Sequence, residues 1–434
     1  MEYREAIEYI HSIDWRGSRP GLERITELCD MLGNPQKNLR FIHIAGTNGK
    51  GSTAAMIASI LKCAGYRVGL FSSPFVEKFN ERIVYDGEMI SDEDLAFFTA
   101  KVRQFADTMK DGPTEFELIT AIAFMYYSSK KCDFVVLECG LGGRLDSTNV
   151  VDTSVLSIIT GIAIDHAEIL GDTTEKIALE KAGIIKKGVP VIYGEVDENA
   201  KKVIENTASN MGSECTGVPY DKLHVRSETL DKTVFEYMGE TYEIVLHGTY
   251  QTRNACIVLE AVRKLKELGI SITSDAVHSG LKNARWKARF EVICEQPLVI
   301  YDGAHNIQGI SAAIESIKKY LSPLTPDGKV NILMGVMADK EYSEMIHLLT
   351  PVTRKAFTVT PGNKRSLAAG NVSREFRDNR VNAVPYLRLD YGVRYAMADA
   401  YKHEVPLVCL GSLYMYSDVK VSVKREKEKN NSYR

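Results

Sequence analysis

The sequence predicts an α/β fold in two domains, each built around a mostly parallel β-sheet. Short apolar runs alternate with longer amphipathic stretches, which is the pattern of strands joined by crossover helices. The chain has 434 residues, more than one hydrophobic core usually supports. The alternation also occurs in two separate series, so we expect two cores.

The first series predicts strands where short apolar runs end in small, polar or acidic residues: Phe41–Ala45, Arg67–Phe71, Phe134–Glu138, Val155–Thr160 and Val189–Tyr193. Between them the helical period predicts the helices Ser52–Ala64, Glu115–Ser129 and Thr174–Ile185. The second series predicts the strands Leu298–Tyr301, Val330–Gly335, Ala356–Thr360 and Pro406–Leu410. Because Arg289–Pro297 separates the two series, we predict domains at 1–294 and 295–434. The charged residues 420–434 predict a disordered tail.

The composition excludes several classes of protein. A net charge of −3 gives no reason to expect nucleic acid or an anionic membrane as a partner. No apolar run approaches the roughly 18 residues of a membrane span, and the N-terminus lacks the apolar core of a signal peptide. The eight cysteines lie far apart without a C-x-x-C pair, which favours reduced thiols. We therefore expect a cytoplasmic protein, with a monomer as the default state.

The strongest local motif is GTNGKGST at positions 46–53, directly after the first predicted strand. A glycine-rich turn before a helix directs backbone N–H groups at an anion, Lys50 suits phosphate oxygens, and a following hydroxyl suits Mg²⁺. The spacing G-x-x-x-x-G-K-[ST] is not met, because Ile44 occupies the first glycine position and Gly51 follows the lysine. The motif predicts a P-loop-type ATPase domain, and a tight turn without a ligand is the alternative. The expected ATP contacts are Thr47, Asn48, Gly49, Lys50, Gly51, Ser52 and Thr53.

Two polar residues follow other predicted strands. Glu138 ends an apolar strand and precedes the glycine-rich stretch CGLGGRLD, and a carboxylate at the carboxyl edge of a parallel sheet lies where such sheets bind ligands. Glutamate is a hard oxygen ligand for Mg²⁺, although a strand-end acid can also simply face solvent. His166 follows the strand Val155–Thr160, and a lone histidine there is more often structural than a ligand.

These motifs resemble those of the Mur ligase superfamily, in particular folylpolyglutamate synthase and dihydrofolate synthase, in the family's order from about Gly21 to about Tyr414. The resemblance implies a P-loop-type ATPase domain followed by a smaller Rossmann-like glutamate-ligase domain. It also implies an ATP- and Mg²⁺-dependent enzyme that joins L-glutamate to a folate or dihydropteroate carboxylate through an acyl phosphate. Its implied partners are small molecules only.

The resemblance assigns two Mg²⁺ ions to the ligands Ser52, Ser73, Glu138, His166 and carbamylated Lys181. Without it, Ser73 is a turn serine, with Pro74 compatible with a cis peptide bond, and Lys181 a solvated charge at a helix end. The carbamate is chemically reasonable, because a desolvated lysine with a lowered pKa is nucleophilic. The predicted catalytic residues are Lys50, Glu138, His166 and Lys181.

Further residues follow from the same resemblance. The acceptor pocket is assigned to Gly21, Leu22, Glu23, Arg24, Phe75, Arg82, Phe116, Glu117, Asp146 and Ser147. The nucleotide is assigned to Asn254, Arg289, Asp302 and His305, in addition to the glycine-rich loop. The family often has Trp-Pro-Gly-Arg before the second domain, and Lys287 and Ala288 depart from that pattern.

Two rival functions are open at this point. A cell-wall Mur ligase acting on a UDP-linked sugar carries an extra N-terminal domain, and the 45 residues before Gly46 are too few for one of roughly 100 residues. A P-loop switch protein would carry a guanine-specific Asn-Lys-x-Asp, but Asn363-Lys364 is followed by Arg365-Ser366. ATP hydrolysis that depends on glutamate and an acceptor would discriminate these classes. The acceptor stays open between dihydropteroate, a reduced folate, and both.

Overall fold

The computed structural model describes residues 1–13, 17 and 19–431, which form two compact units. Unit 1 comprises Met1–His224, Phe235–Ile244 and Thr252–Arg285. Unit 2 comprises Val225–Val234, Val245–Gln251 and the described chain from Trp286 onward. The predicted boundary between residues 294 and 295 falls inside the strand Glu291–Glu295 of unit 2. This strand pairs with Leu298–Tyr301, the first strand predicted for the second series, and therefore belongs with it.

Within the described residues of unit 1, eight strands form one sheet in the order β4-β3-β2-β5-β1-β6-β7-β8. The strand β3 pairs antiparallel with both β2 and β4, and the other neighbouring strands pair parallel. The strands are β1 Phe41–Ala45, β2 Val68–Phe71, β3 Ile83–Tyr85, β4 Glu88–Met89, β5 Phe134–Glu138, β6 Ser154–Gly161, β7 Val191–Glu195 and β8 Cys215–Gly217. All five strands predicted for this series are therefore confirmed, with shifts of no more than two residues at their ends.

Helices cover this sheet because each crossover between parallel strands returns over a face. They are α1 Tyr3–His11, α2 Glu23–Met31, α3 Lys50–Cys63, α4 Asp92–Ala106, α5 Glu115–Ser129, α6 Ala167–Leu170, α7 Thr174–Ala182 and α8 Glu198–Asn210. A three-stranded sheet follows, in the order β11-β10-β9. It consists of β9 Leu223–Glu228, β10 Thr233–Tyr237 and β11 Glu240–Ile244, and it precedes α9 Gln251–Glu267 and α10 Ser274–Asn283.

The described part of unit 2 contains a six-stranded sheet in the order β12-β13-β17-β14-β15-β16, in which β12 pairs antiparallel and the others parallel. Its strands are β12 Glu291–Glu295, β13 Leu298–Tyr301, β14 Val330–Met334, β15 Thr353–Val359, β16 Asn382–Tyr386 and β17 Leu407–Leu410. Its helices are α11 Ile307–Ser316, α12 Tyr342–Leu349, α13 Ala369–Asp378, α14 Leu389–His403 and α15 Tyr416–Asn431. The predicted fold class, two α/β domains with parallel-rich sheets, is confirmed.

The prediction of a disordered tail at 420–434 is wrong for the residues that α15 contains, and residues 432–434 lie outside the described residues. Tyr416, Val419 and Val423 recur at helical spacing and are buried, because α15 packs on α14. An ion pair between Arg394 of α14 and Glu426 of α15, 3.9 Å apart, lies across the same contact. The many charged residues of this segment lie on the solvent side of the helix. They outnumber the few buried apolar residues, so the sequence of the segment does not indicate a packed helix.

Shortening a buried residue of α15 is expected to destabilise the protein. Val419→Ala removes buried methyl groups from a fully buried side chain, and we expect it to lower the free energy of unfolding by about 1–3 kcal/mol. Val421→Ala in the same helix is the matched control, since Val421 is 46% exposed, and we expect a change of less than about 0.5 kcal/mol. Urea denaturation of the two variants measures the difference. Equal effects would show that α15 does not pack through Val419.

The cysteines agree with the prediction of reduced thiols. Of the eight, all of which lie in described residues, none forms a disulfide, six are buried and Cys63 is exposed. Among the helices that the structure describes, none is long and apolar enough to cross a membrane.

Candidate active site

The carboxyl ends of four adjacent strands bring the predicted catalytic residues of unit 1 together. The strands β2, β5, β1 and β6 are neighbours in the sheet, and Ile44 of β1 is level with Glu138 of β5. The glycine-rich loop follows β1, Ser73 follows β2, and His166 follows β6. The chain reverses its direction of winding at β1, and such switch points are where open α/β sheets bind ligands.

The loop at 46–53 forms a tight turn into the N-terminus of α3. Gly49 caps that helix with a φ of 82°, and a Cβ atom at this position would lie 2.5 Å from Oδ1 of Asn254. Glycine is therefore required at position 49 both by the backbone and by the neighbouring amide. The Lys50 Nζ donates to the Gly46 carbonyl at 2.9 Å and to the Thr47 carbonyl at 3.3 Å, so it lies over the loop.

The first turn of α3 offers hydroxyl groups to this loop. Ser52 and Thr53 are both buried, with 1% and 0% of their surface exposed. In the described structure the Thr53 Oγ1 has no hydrogen-bond partner, which is uncommon for a buried hydroxyl. The free backbone N–H groups of a helix start and these hydroxyls are the donor set that a polyphosphate requires.

The end of β6 supports the loop from the other side, and the sequence prediction missed its role. The Thr47 N–H donates to the Gly161 carbonyl at 2.9 Å, and the Thr47 Oγ1 bonds both the N–H and the carbonyl of Ala163 at 3.1 Å. The Thr160 Oγ1 donates to the Asn48 carbonyl at 2.6 Å. Thr160 lies in the same motif as His166, but a strand-end threonine carries no local signal of a partner 112 residues earlier.

Glu138 and Ser73 form the oxygen-rich part of the site. The Glu138 side chain is 3% exposed, and its Oε2 accepts from the Ser73 N–H at 3.3 Å. The Ser73–Pro74 bond is cis. No three His, Cys, Asp or Glu side chains within the described ranges cluster as a cation site. This donor set fits Mg²⁺, which takes one or two hard oxygen ligands and keeps several waters.

Lys181 is a buried lysine at the end of α7. Its side chain is 3% exposed, and burial lowers its pKa from 10.5 to about 7, with a smaller contribution from the Lys50 charge. The helix is held against the loop after Glu138, because the Arg144 N–H donates to the Glu180 carbonyl at 2.7 Å. A large fraction of Lys181 is therefore an uncharged, nucleophilic amine near neutral pH.

His166 lies on a more open part of the same edge. It has a φ of 53°, which is uncommon for a residue other than glycine, and its side chain is 39% exposed. The Asp165 carboxylate accepts from the His166 N–H at 2.9 Å and lies 3.9 Å from Nε2. The imidazole is therefore accessible and stands beside a carboxylate.

Several residues predicted to bind the acceptor are bonded to each other or to neighbouring backbone. The Gly21 N–H donates to the Leu145 carbonyl at 3.4 Å. Arg24 and Glu117 form a buried ion pair at 3.0 Å, although they are 93 residues apart. Glu117 also accepts from the Thr114 N–H at 2.7 Å, in a capping box at the start of α5. These side chains thus tie the start of α2 to the start of α5.

The carboxylate of Asp146 is likewise engaged within its own loop. It accepts from the Leu141 N–H at 2.8 Å, the Thr148 N–H at 3.0 Å and the Thr148 hydroxyl at 2.5 Å. Burial raises the pKa of Asp146, while these hydrogen bonds act in the opposite direction. The Thr148 Oγ1 also lies 2.9 Å from Nε2 of His43, a fully buried residue of β1 whose pKa burial lowers to about 3. Sequence patterns do not reveal this network, because His43 precedes Thr148 by 105 residues.

The remaining acceptor residues supply apolar and cationic surface. The Phe116 ring packs on Gly140, where a Cβ atom would lie 2.6 Å from it. The Arg82 guanidinium lies over the Phe75 ring, 5.3 Å from its centroid. Ser147 is buried beside Asp146, whereas Leu22 and Glu23 form the start of α2. A half-buried aromatic surface and a cation suit an aromatic, anionic ligand.

The other nucleotide residues predicted from the sequence belong to unit 2, whereas Asn254 belongs to unit 1. Asp302 is 3% exposed, and the His305 Nδ1–H donates to the Gly303 carbonyl at 2.7 Å. A Cβ atom at Gly303 would clash with the Arg289 guanidinium, so this turn and Arg289 are in contact. Burial raises the pKa of Asp302, and the charge of Arg289 lowers it to a smaller extent.

Comparison with known proteins identifies the family. A model of the Mur ligase middle domain matches residues 44–262, and one of the Mur ligase glutamate ligase domain matches residues 288–412. The folylpolyglutamate synthase of Lacticaseibacillus casei is 36% identical over 436 residues, which cover 97% of this chain and 98% of that protein. The chain belongs to the folylpolyglutamate synthase and dihydrofolate synthase family of Mur ligases. The dihydrofolate synthase/folylpolyglutamate synthase of Bacillus subtilis (strain 168) is also 36% identical, over 441 residues, 97% of this chain and 99% of that protein.

The fold of this member of the folylpolyglutamate synthase family also resembles that of a solved structure. The structure of E. coli FolC in complex with DHPP and ADP matches with a TM-score of 0.85 and 28% identity, covering 98% of this chain and 99% of that chain. The predicted enzyme class is confirmed: the protein is an ATP-dependent, amide-forming ligase.

Proposed function

We propose that this enzyme joins L-glutamate to a folate-type carboxylate and accepts both dihydropteroate and tetrahydrofolate. The observation that carries the proposal is the convergence of the Gly46–Thr53 loop, Glu138 and Lys181 at one edge of the unit 1 sheet. The buried Arg24–Glu117 ion pair belongs to the same unit. The Bacillus subtilis relative, whose name gives it both activities, supports the two acceptors.

In the proposed complex, ATP lies on the Gly46–Thr53 loop with its phosphates toward the N-terminus of α3. Lys50 exchanges its bonds to the loop carbonyls for bonds to phosphate oxygens, and Ser52 and Thr53 supply hydroxyl groups. When bound, Mg²⁺ neutralises phosphate charge. The proposed ligand residues are Ser52, Ser73 and Glu138 for one ion, and His166 with carbamylated Lys181 for a second ion. Asn254, Arg289 and His305 are proposed to contact the nucleotide.

The carbamate of Lys181 follows from ordinary amine chemistry. The uncharged Nζ attacks the carbon of CO₂, a C–N bond forms, and the amine releases one proton. The product is a carboxylate-like anion, which compensates the positive charge of Lys50 nearby. Burial favours this reaction, because it keeps the amine uncharged near neutral pH.

The proposed reaction proceeds in two steps. An acceptor carboxylate oxygen attacks the γ-phosphorus of ATP, which gives an acyl phosphate and ADP. The α-amine of glutamate then attacks the acyl carbon, and phosphate leaves as the amide bond forms. The residues of the site act mainly by positioning the reactants and neutralising charge. We propose that the active form is a monomer acting on small molecules.

Glutamate-dependent release of phosphate from MgATP tests the proposal. We expect release with dihydropteroate and with tetrahydrofolate, and none when glutamate or the acceptor is omitted. Release with only one acceptor would contradict the proposed dual specificity and would identify the single activity. If neither acceptor supports release while ADP still binds, the folate-type acceptor is wrong.

A further inference from the structure

Asp302 is a buried carboxylate with three donors of its own. Its Oδ2 accepts from the Tyr250 hydroxyl at 2.8 Å and from the Phe290 N–H at 2.9 Å, and its Oδ1 accepts from the Ala304 N–H at 2.8 Å. The residue is 3% exposed. Removing one donor from a buried carboxylate leaves part of the cost of its desolvation uncompensated. The loss of one of these hydrogen bonds therefore weakens the position of the whole carboxylate.

Two of the three donors, Tyr250 and Phe290, lie close to where the chain passes between the units. Tyr250 belongs to the short segment Val245–Gln251 of unit 2, directly before the chain returns to unit 1 at Thr252. Phe290 follows shortly after Trp286, where the chain re-enters unit 2. One carboxylate within unit 2 thus holds two connecting segments together.

The second of these segments has a strained backbone. Ala288 and Phe290 have φ angles of 56° and 46°, in the left-handed region that residues other than glycine rarely adopt. Such conformations persist only where their surroundings hold them. Here the Ala288 carbonyl accepts from the Gly303 N–H at 2.8 Å, and the Phe290 N–H donates to Asp302. Arg289 lies between the two strained residues and contacts Gly303.

We infer that Tyr250 is a positioning residue, which acts through Asp302 to fix residues 288–290 and thereby the direction of the Arg289 side chain. The inference rests on the proposed function, in which Arg289 contacts the nucleotide. In this inference Asp302 holds the connecting segments together. Tyr250, which the sequence motifs did not single out, then affects the binding and use of ATP through Arg289.

A double-mutant cycle with Tyr250→Phe and Asp302→Asn tests the inference. Tyr250→Phe removes only one hydroxyl, and we expect it to lower kcat/KM for MgATP roughly tenfold, as for loss of a bond to a charged group. Asp302→Asn is expected to lower it at least as much. The double variant should be no worse than Asp302→Asn alone, because both changes break one interaction.

Tyr237→Phe is the matched control. In unit 1 the Tyr237 hydroxyl donates to the buried Glu260 carboxylate at 2.9 Å, so the variant loses a bond of the same kind away from the site. We expect it to lower thermal stability and to leave kcat/KM unchanged. If Tyr250→Phe behaves in the same way, or if its effect adds to that of Asp302→Asn, the positioning role is refuted.

Hydrogen exchange separates this inference from the proposed function. Peptides covering residues 288–291 and 302–305 should exchange faster in Tyr250→Phe than in Tyr237→Phe, whatever the substrate. If these peptides exchange at the same rate in both variants, the positioning role of Tyr250 is refuted, even in an active enzyme. If the wild-type protein is inactive with the proposed acceptors but Tyr250→Phe still exchanges faster, the proposed acceptors are refuted. The contact of Tyr250 with Asp302 is then still shown to hold residues 288–290.

Discussion

Lys50→Ala is expected to lower the rate of glutamate-dependent phosphate release by a factor of about 10³ or more. The lysine is the cation that lies over the Gly46–Thr53 loop, where transferred phosphate charge must be neutralised, and such preorganised groups contribute factors of this order. Its two bonds to loop carbonyls are replaceable by water, so thermal stability should change little. Single-turnover phosphate release and a thermal melt measure the two effects.

Lys62→Ala in the same helix is the matched control for Lys50→Ala. Lys62 is exposed on α3, and its Nζ bonds the Asp86 carbonyl at 2.6 Å, away from the loop. We expect wild-type turnover from this variant. Turnover near the wild-type rate in Lys50→Ala would refute the assignment of this loop to ATP.

Lys181→Met is expected to lower turnover strongly and at the same time to stabilise the fold. Methionine fills a similar volume without a group that must be desolvated, so the free energy of unfolding at pH 7 should rise by about 1–4 kcal/mol. The rate should fall about 10³-fold, because neither a carbamate nor an amine is left at the site. Activity and urea denaturation of one preparation measure both changes.

The pH dependence of this stability difference has a defined sign. The pKa of Lys181 is about 7 in the folded protein and 10.5 when exposed, so the unfolded state binds more protons between these values. In CO₂-free buffer the wild-type protein therefore gains stability as the pH rises from 7 to about 10.5. The advantage of Lys181→Met is full below pH 7 and should disappear above that window.

Lys186→Met is the control for Lys181→Met. Burial also lowers the pKa of Lys186, whose Nζ donates to the Asn149 carbonyl at 2.9 Å, but it is not among the proposed ligand residues. We expect this variant to retain activity.

In the wild type, removing CO₂ should slow turnover and bicarbonate should restore it. Full activity of Lys181→Met would refute the carbamate.

Local patterns predicted the central strands of the unit 1 sheet because these strands are short and largely buried. Phe134–Glu138 is apolar up to an acid that marks the sheet edge, and both ends of β5 were predicted correctly. The helix α15 was missed for the opposite reason: only Tyr416, Val419 and Val423 signal its buried face among charged neighbours. The strand β12 was missed because its partner follows in a hairpin, and its own residues are only partly apolar.

The sequence predicted those residues of the candidate site that lie at or just after the carboxyl ends of strands. Glu138 and the residues around Lys50 meet because parallel strands align their carboxyl ends. Contacts between distant side chains were not predictable in this way. Arg24 and Glu117 were assigned to the acceptor, yet each is the other's ion-pair partner, and nothing in either local sequence indicates that. The roles assigned to individual site residues stay predictions until variants are measured.

The position of β1 at the middle of its sheet has a consequence for synthesis on the ribosome. The loop after β1 is held by Gly161, Ala163 and Thr160, which are made more than a hundred residues later. Its strand also needs β5 and β6 on its two sides. A nascent chain that ends before Gly161 lacks these partners, so the Gly46–Thr53 loop is ordered late in elongation, although it is encoded early. Until then, the apolar strand and the glycine-rich turn are exposed to the cell's chaperones.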